Sequence, residues 1–281
     1  TYFYIMMQAM IFAAGMGTRL KPLTDTMPKA LVRVGGEPLI KRVIMNLAAA
    51  GVDHIVVNVH HFSQQIIDYL KANDNFGLDI KISDETENLL DTGGGLRKAA
   101  RLFHNNYPIL IHNVDILSNI DLRKFYTQDP KVTCPDCGIP HQKAGAQVLV
   151  SWRKTKRYLV FNDTMRLLGW VNIETGEVKS PYEDVKATLE QKHYPIEATD
   201  EPLTIDGLRL FAFSGIHIVY PELFTYMVGE PDKFPIMDFY LRICRRVPIK
   251  GYLKTDLKLM DVGKLNTLHE AERFVEELNK E

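Results

Sequence analysis

Phe12-Ala13-Ala14-Gly15-Met16-Gly17-Thr18-Arg19-Leu20-Lys21-Pro22-Leu23-Thr24, followed by Pro28-Lys29-Ala30-Leu31, is the stretch that organises this chain. It begins where the apolar run Met10–Ala14, which reads as a buried strand, breaks into glycine. Glycine lets the backbone turn sharply and approach a ligand closely. Consecutive backbone N–H groups in such a turn can cradle phosphate oxygens. Ala13, Ala14, Gly15 and Gly17 supply that backbone, and Thr18 adds a hydroxyl. Arg19 adds a planar, permanently charged fork suited to phosphate, and Lys29 a second cation. The spacing is not the dinucleotide fingerprint, because no third glycine opens a helix. It is not G-x-x-x-x-G-K-[ST] either. The plain alternative is a glycine turn carrying surface cations.

Outward from this loop, strand and helix signals alternate. Leu39–Ala50 has apolar residues at helical spacing, with Pro38 before it and Gly51 after it. His54–Val59 reads as a strand, Ser63–Ala72 as a helix and Leu78–Ile82 as a strand. Gly95–Phe103 reads as a helix and Tyr107–His112 as a strand. Such alternation predicts an α/β fold, a mostly parallel central sheet between helical layers. Ligands in such sheets gather at the carboxyl ends of strands, beside a switch point. After about Asp129, short strand-like runs at Ala146–Trp152, Tyr158–Phe161, Met165–Val171 and Leu208–Val219 predict antiparallel additions. Lys179–Gly207 reads as a polar surface loop. Phe234–Arg245 reads as a helix, Ile249–Leu253 and Lys258–Val262 as strands, and Lys264–Asn279 as a closing amphipathic helix. Without a long Pro/Gly/Ser linker, the expectation is a single domain over residues 7–281. Two halves, about 7–130 and about 145–263, precede a C-terminal helix over 264–280.

Three further segments carry chemistry. In Asp91-Thr92-Gly93-Gly94-Gly95-Leu96, three glycines ahead of a helix allow backbone contact with a base or a phosphate; a flexible turn is the alternative. Asn113-Val114-Asp115 follows a strand, where one carboxylate can hold Mg²⁺, an ion that takes its other ligands from waters and phosphates. Met260-Asp261-Val262-Gly263 offers a second carboxylate. For either aspartate alone, a helix cap or turn role is the competing reading.

The opening string resembles the signature of the sugar-1-phosphate nucleotidyltransferase family, in which G-x-G-T-R-L-x-P-L-T is followed by P-K-x-L. The resemblance extends over most of the chain and implies the family's Rossmann-like fold. It implies nucleotide binding by Ala13, Ala14, Gly15, Gly17, Thr18, Arg19, Asp91, Thr92, Gly93 and Gly94, with Arg19 and Lys29 catalytic. It implies Mg²⁺ on Asp115 and Asp261. Phe213-Ser214-Gly215-Ile216-His217 resembles the sugar-pocket segment, which implies sugar-phosphate contacts from Asn113, Ser214 and Gly215. Two departures stand out. Val114 occupies a position where many members have glycine, and Leu167–Asn172 lacks a Glu-Lys pair that touches the sugar in many relatives. The D-T-G-G-G loop, the F-S-G-I segment and the missing pair look most like the N-acetylmuramate-1-phosphate uridylyltransferases, with mannose- and heptose-1-phosphate guanylyltransferases next.

Bulk properties agree with a small-molecule enzyme. The chain has 281 residues, 46% hydrophobic and 25% charged, with 34 basic and 35 acidic residues and a net charge of −1. That balance gives no global reason to expect nucleic acid or an anionic membrane as a partner. The expected partners are a nucleoside triphosphate, UTP or GTP, and a sugar 1-phosphate. Tyr2–Ala14 is too short to span a bilayer and lacks a basic start, while Thr1–Met6 reads as a frayed extension. Cys134, Cys137 and Cys244 make no disulfide framework, which suggests a reducing, cytosolic setting. Cys134-Pro135-Asp136-Cys137 with His141 lacks the second pair a structural zinc wants, so a loop insertion is the main reading. His60-His61 is weighed as a nucleotide neighbour or as surface.

The implied reaction is in-line attack by a sugar 1-phosphate oxygen on the α-phosphorus of the nucleotide, with pyrophosphate leaving. A phosphate monoester with a second pKa of ~6 is already largely ionised at neutral pH, so no general base is needed. Two rivals stay open: a regulatory protein that senses nucleotide or sugar, and an enzyme acting on a non-sugar phosphate such as phosphocholine.

Overall fold

The computed structural model describes residues 6–128, 143–198 and 201–280. The chain forms two compact units. The first holds the chain up to residue 128, residues 231–233, and the stretch from residue 257 onward; the second holds what lies between.

In chain order, the first unit begins with β1 (Gln8–Phe12), α1 (Leu39–Ala49), β2 (His54–Val59), α2 (Ser63–Ala72) and β3 (Asp79–Asp84). It continues with α3 (Asp91–Ala99), β4 (Ile109–Asn113), β5 (Ile116–Ser118) and α4 (Leu122–Thr127). β1 pairs in parallel with both β2 and β4, and β2 pairs in parallel with β3. The strand order is therefore β4-β1-β2-β3, all parallel. β1 and β2 are buried along their whole length, as near-continuous apolar runs in a covered parallel sheet should be. Consecutive strands step outward on one side of β1, and β4 then returns to its other side. That reversal puts a switch point between β1 and β4, and Phe12 lies level with Asn113 at the carboxyl ends of the two strands.

The second unit carries β6 (Ala146–Ser151), β7 (Arg157–Phe161), β8 (Leu167–Asn172), α5 (Glu183–Glu190), β9 (Leu203–Ile205), β10 (Leu208–Val219), α6 (Ile236–Ile243) and β11 (Ile249–Leu253). The long β10 pairs antiparallel with β9, β7 and β6, and β7 pairs antiparallel with β8. β11 runs parallel to its neighbour, β6. Pairing of β10 with β6 shifts between Phe213 and His217, where Gly215 takes a φ of 75°. A bulge there suits a residue without a Cβ.

The chain ends in the first unit with β12 (Leu259–Asp261), antiparallel to β5, and α7 (Leu268–Leu278).

Several expectations are corrected. β1 stops at Phe12 rather than Ala14, because the N–H of Ala13 leaves the ladder for the Asn58 carboxamide oxygen at 2.8 Å. Lys179–Gly207 is not only a polar loop. It contains α5 and β9, and Val185, Leu189 and Ile205 join Tyr158, Val160, Val171 and Leu210 in a buried cluster. Val185 and Leu189 stand four residues apart on one helical face, a short pattern diluted by polar neighbours. Helix α3 starts at Asp91, not Gly95, so the three glycines lie inside it. The last helix starts at Leu268, after a short 3-10 turn over Leu265–Thr267. Cys134, Cys137 and His141 lie outside the described residues. Cys244 is buried, and burial pushes its thiol up to about 12.

Candidate active site

A cavity of about 420 Å³ opens at the carboxyl ends of β1 and β4. Ala13, Ala14, Gly15, Gly17, Thr18 and Arg19 line it from the glycine loop, and Lys29 lines it from the same connection. Asp91 and Thr92 at the start of α3, Asn113 at the end of β4 and Asp115 just after it also line the cavity, as the sequence expected.

The glycine loop owes its path to two different needs. Gly17 has a φ of 63°, and a Cβ there would lie 2.8 Å from the Thr24 methyl and 3.1 Å from the Lys29 Cβ. The Thr24 hydroxyl donates to the Gly17 carbonyl at 2.8 Å, closing the loop on itself. Gly17 therefore serves the protein's own turn. A Cβ on Gly15 would meet nothing within 4 Å. No contact within the protein requires glycine there, so the free space belongs to the cavity.

Lys29 is largely buried, and its ammonium donates to the Asp115 carboxylate. Burial of this pair inside the cavity wall excludes the solvent that weakens exposed ion pairs. Arg19 behaves differently. Its side chain is exposed, with Nη2 4.0 Å from an Asp261 carboxylate oxygen. Asp261 ends β12, and the next residue, Val262, donates its N–H to the Asp115 carbonyl at 2.9 Å. The β12–β5 pairing thus brings the two predicted metal-site segments together from opposite ends of the sequence. Gly263 lines the cavity, whereas Asp261 stands outside its lining; a Cβ on Gly263 would lie 2.7 Å from the Asp261 carboxylate and 2.9 Å from Arg19 Nη2.

The glycine triplet takes a different role from the expected one. Gly93 and Gly94 do not line the cavity. A Cβ on Gly94 would sit 2.1 Å from the backbone oxygen of Asp232, and one on Gly95 would sit 2.6 Å from the Glu85 carboxylate. Interior glycines weaken a helix by ~1 kcal/mol each. Here Gly94 and Gly95 allow the protein's own groups to approach α3. Asp91, the residue at the cavity, holds a φ of 61° and accepts a hydrogen bond from the Thr92 N–H at 2.7 Å.

Asn58, Glu85 and Leu89 also line the cavity, and sequence reasoning missed all three. Asn58 Nδ2 donates to Glu85 Oε1 at 2.8 Å, and Glu85 Oε2 accepts the Leu90 N–H at 3.1 Å. With the bond from Ala13, one buried relay joins the glycine loop to the loop before α3. A polar side chain inside the strand His54–Val59 was the available signal for Asn58.

His60 and His61 do not line the cavity. A ring nitrogen of His60 lies 2.7 Å from the Glu85 carbonyl, and one of His61 lies 3.3 Å from the Thr24 carbonyl. They brace loop backbone. Ser214 and Gly215 belong to β10 of the second unit. The Ser214 hydroxyl is buried, and it has no hydrogen-bond partner among the described residues. A buried hydroxyl normally has one. No described helix is long and apolar enough to cross a membrane.

Residues 8–131 match the family model described as nucleotidyl transferase. Among curated proteins, the chain is similar to an N-acetylmuramate alpha-1-phosphate uridylyltransferase of Caulobacter vibrioides. The two are 45% identical over 109 residues, which is 38% of this chain and 45% of that protein. It is also similar to a mannose-1-phosphate guanyltransferase of Saccharomyces cerevisiae, at 39% over 246 residues, 81% of this chain and 63% of that protein. The matches thus span about half the length of the first of these relatives. Among solved structures, the inositol-1-phosphate CTP transferase from T. maritima superposes with a TM-score of 0.70. That match covers 98% of this chain and 97% of the other at 13% identity, and it shows a shared fold.

Proposed function

From the match of residues 8–131 to the nucleotidyl transferase family model, we propose that this chain joins a nucleoside triphosphate to a sugar 1-phosphate and releases pyrophosphate. The observation that carries the proposal is one cavity lined together by the glycine loop, Arg19, Lys29 and Asp115. Backbone N–H groups and two cations offer a triphosphate what it needs, and the carboxylate beside them supplies a metal ligand.

The chemistry is a displacement at phosphorus. A P–O bond forms between an oxygen of the sugar 1-phosphate and the α-phosphorus, the bond to the bridging α–β oxygen breaks, and the electron pair leaves with pyrophosphate. The monoester is already largely ionised above its second pKa of ~6, so the protein need not remove a proton. Its task is to hold two anions together and to stabilise charge on the transferring group. Arg19 and Lys29 are placed for this task. Thr18 and the loop backbone orient the triphosphate.

In this reading Asp115 and Asp261 would hold a magnesium ion. They sit on adjoining segments, and a pair of carboxylates suits a cation that takes its remaining ligands from waters and phosphates. Among the described residues no cluster of three or more His, Cys, Asp or Glu side chains forms a closed cage. The ion that Asp115 and Asp261 hold would supply charge neutralisation to the phosphates. In the second unit, the Ser214 hydroxyl beside Gly215, without a hydrogen-bond partner among the described residues, supports a sugar-binding role for that segment.

The favoured pair is UTP with N-acetylmuramate 1-phosphate, on the similarity to the Caulobacter protein. GTP with mannose 1-phosphate is the second reading, because the yeast relative aligns over 81% of this chain. The test is pyrophosphate release with and without Mg²⁺, crossing UTP, GTP, CTP and dTTP against a panel of sugar 1-phosphates. Turnover with one pair that stops on chelation supports the proposal. Nucleotide binding without turnover on any acceptor overturns it in favour of a sensing protein.

A further inference from the structure

The loop Leu89–Thr92 lines the cavity at Leu89, Asp91 and Thr92. Its inner side is tied down, because the Leu90 N–H is held by buried Glu85. Its outer side meets a segment from much later in the chain. Arg97, on α3, donates from Nη2 to the Pro231 carbonyl at 3.0 Å and to the Asp232 carboxylate at 3.1 Å, across 134 and 135 residues of sequence. One turn earlier, Gly94 lies so close to the Asp232 carbonyl that a Cβ would come within 2.1 Å of that oxygen and 3.1 Å of the Leu90 Cβ. Residues 231–233 belong to the first unit, although both sequence neighbours, Glu230 and Phe234, belong to the second. A gap of about 490 Å³ separates Asp232 and Lys233 from residues 87–90, and Leu89 forms a wall of both spaces.

The start of α3 is therefore held on one side by Glu85 and on the other by Pro231–Lys233. Asp91 keeps its positive φ between these two restraints. Aspartate tolerates this conformation better than most residues but still less readily than glycine, and it persists where surroundings enforce it. Loosening the outer restraint frees Asp91 to relax and moves the atoms that face the ligand.

We propose that Arg97, with Gly94, clamps α3 onto residues 231–233 and so fixes the loop Leu89–Thr92 against the base of a bound nucleotide. This rests on the reading of the cavity as a nucleoside triphosphate site. Arg97 is a positioning residue: it touches the loop's support, and it does not line the cavity. The Asp232 carboxylate is almost fully exposed, so its ion pair contributes little. The bond to the Pro231 carbonyl and the glycine contact carry the clamp.

The experiment measures binding of UTP, GTP, CTP and dTTP by calorimetry, and steady-state kinetics with the productive pair, for wild type, Arg97→Ala, Arg97→Lys and Asp232→Ala. Arg97→Ala is expected to bind the preferred nucleotide ~10-fold more weakly and to compress its preference over the others, with kcat at saturation within ~2-fold of wild type. Arg97→Lys should recover part of the affinity, and Asp232→Ala should stay near wild type. Affinities and preferences left unchanged in Arg97→Ala, at an unchanged melting temperature, would overturn the clamp. So would a fall in kcat at unchanged affinity. A wild type that binds nucleotides without turning them over removes the proposed reaction and leaves the clamp to be judged on affinities. A wild type that binds none of the four overturns both.

Discussion

The Lys29 ammonium donates a hydrogen bond to the Asp115 carboxylate across 86 residues of sequence, and both side chains face the cavity. One group is drawn to phosphate and the other to a cation, so the pair holds both in place before a ligand arrives. Charge-assisted hydrogen bonds with little solvent access are among the stronger ones.

Lys29→Met should lower kcat by ~100-fold or more, the scale of losing one preorganised charge at a reacting phosphate. Asp115→Asn should do the same while raising the Mg²⁺ concentration needed for half-maximal rate. Pyrophosphate release over a Mg²⁺ titration reads both effects. Near-normal rates in either variant, with folding intact by circular dichroism, would remove that residue from the site.

Arg19 gives a contrasting expectation. Its ion pair with Asp261 is long and exposed, so it contributes little to the fold. Arg19→Ala should leave the melting temperature unchanged and weaken nucleotide binding by ~10-fold or more. A drop of several degrees with unaltered binding would make the contact structural.

Two glycines separate ligand space from protein space. Gly15→Ala should fold with wild-type stability, since its Cβ meets nothing in the protein, and should lose nucleotide affinity. Gly95→Ala drives a Cβ toward the Glu85 carboxylate and the Asn58 amide and should cost ~1–3 kcal/mol of stability. Urea unfolding and nucleotide titration on both variants check this. Reversed outcomes would place the ligand elsewhere.

Two buried histidines set an acid limit. Burial holds His112 down to about 4 and His217 down to about 3, from an ordinary value of 6.5. Below pH 6.5 the unfolded chain takes up protons that the folded chain refuses. Stability is therefore full above that pH and falls as pH drops toward 4, by up to ~1.4 kcal/mol per pH unit for each histidine. His217 lies 2.7 Å from the Tyr240 hydroxyl, and His217→Gln keeps an acceptor for it. That variant should show a shallower decline, by about one proton's slope, in urea unfolding between pH 7 and 4. Parallel curves for variant and wild type would refute the assignment.

Local signals carried much of the architecture. His54–Val59 and Ser63–Ala72 were legible to the residue because a β-branched run and a helical apolar stripe each sit between clear breaks. Leu208–Val219 and Ile249–Leu253 were equally plain. The ends of elements were less so. Ala13 looks like strand until the Asn58 side chain takes its N–H. Helix α3 looks interrupted by Gly93, Gly94 and Gly95 until the atoms packed against Gly94 and Gly95 are known.

By itself, the sequence determined the alternation of strand and helix, the glycine loop with Thr18, Arg19 and Lys29, and the order of Asp91, Asp115 and Asp261 along the chain. These features depend on residues close in sequence, where periodicity and spacing leave a trace. Only the tertiary structure decided that Lys29 meets Asp115, that Asn58 and Glu85 join two loops, that β12 brings Asp261 beside the Asp115 segment, and that Asp232 seats against Gly94. Each of those contacts joins groups that are distant along the chain, and pairings of that kind are set by packing and burial, which no single-chain pattern records.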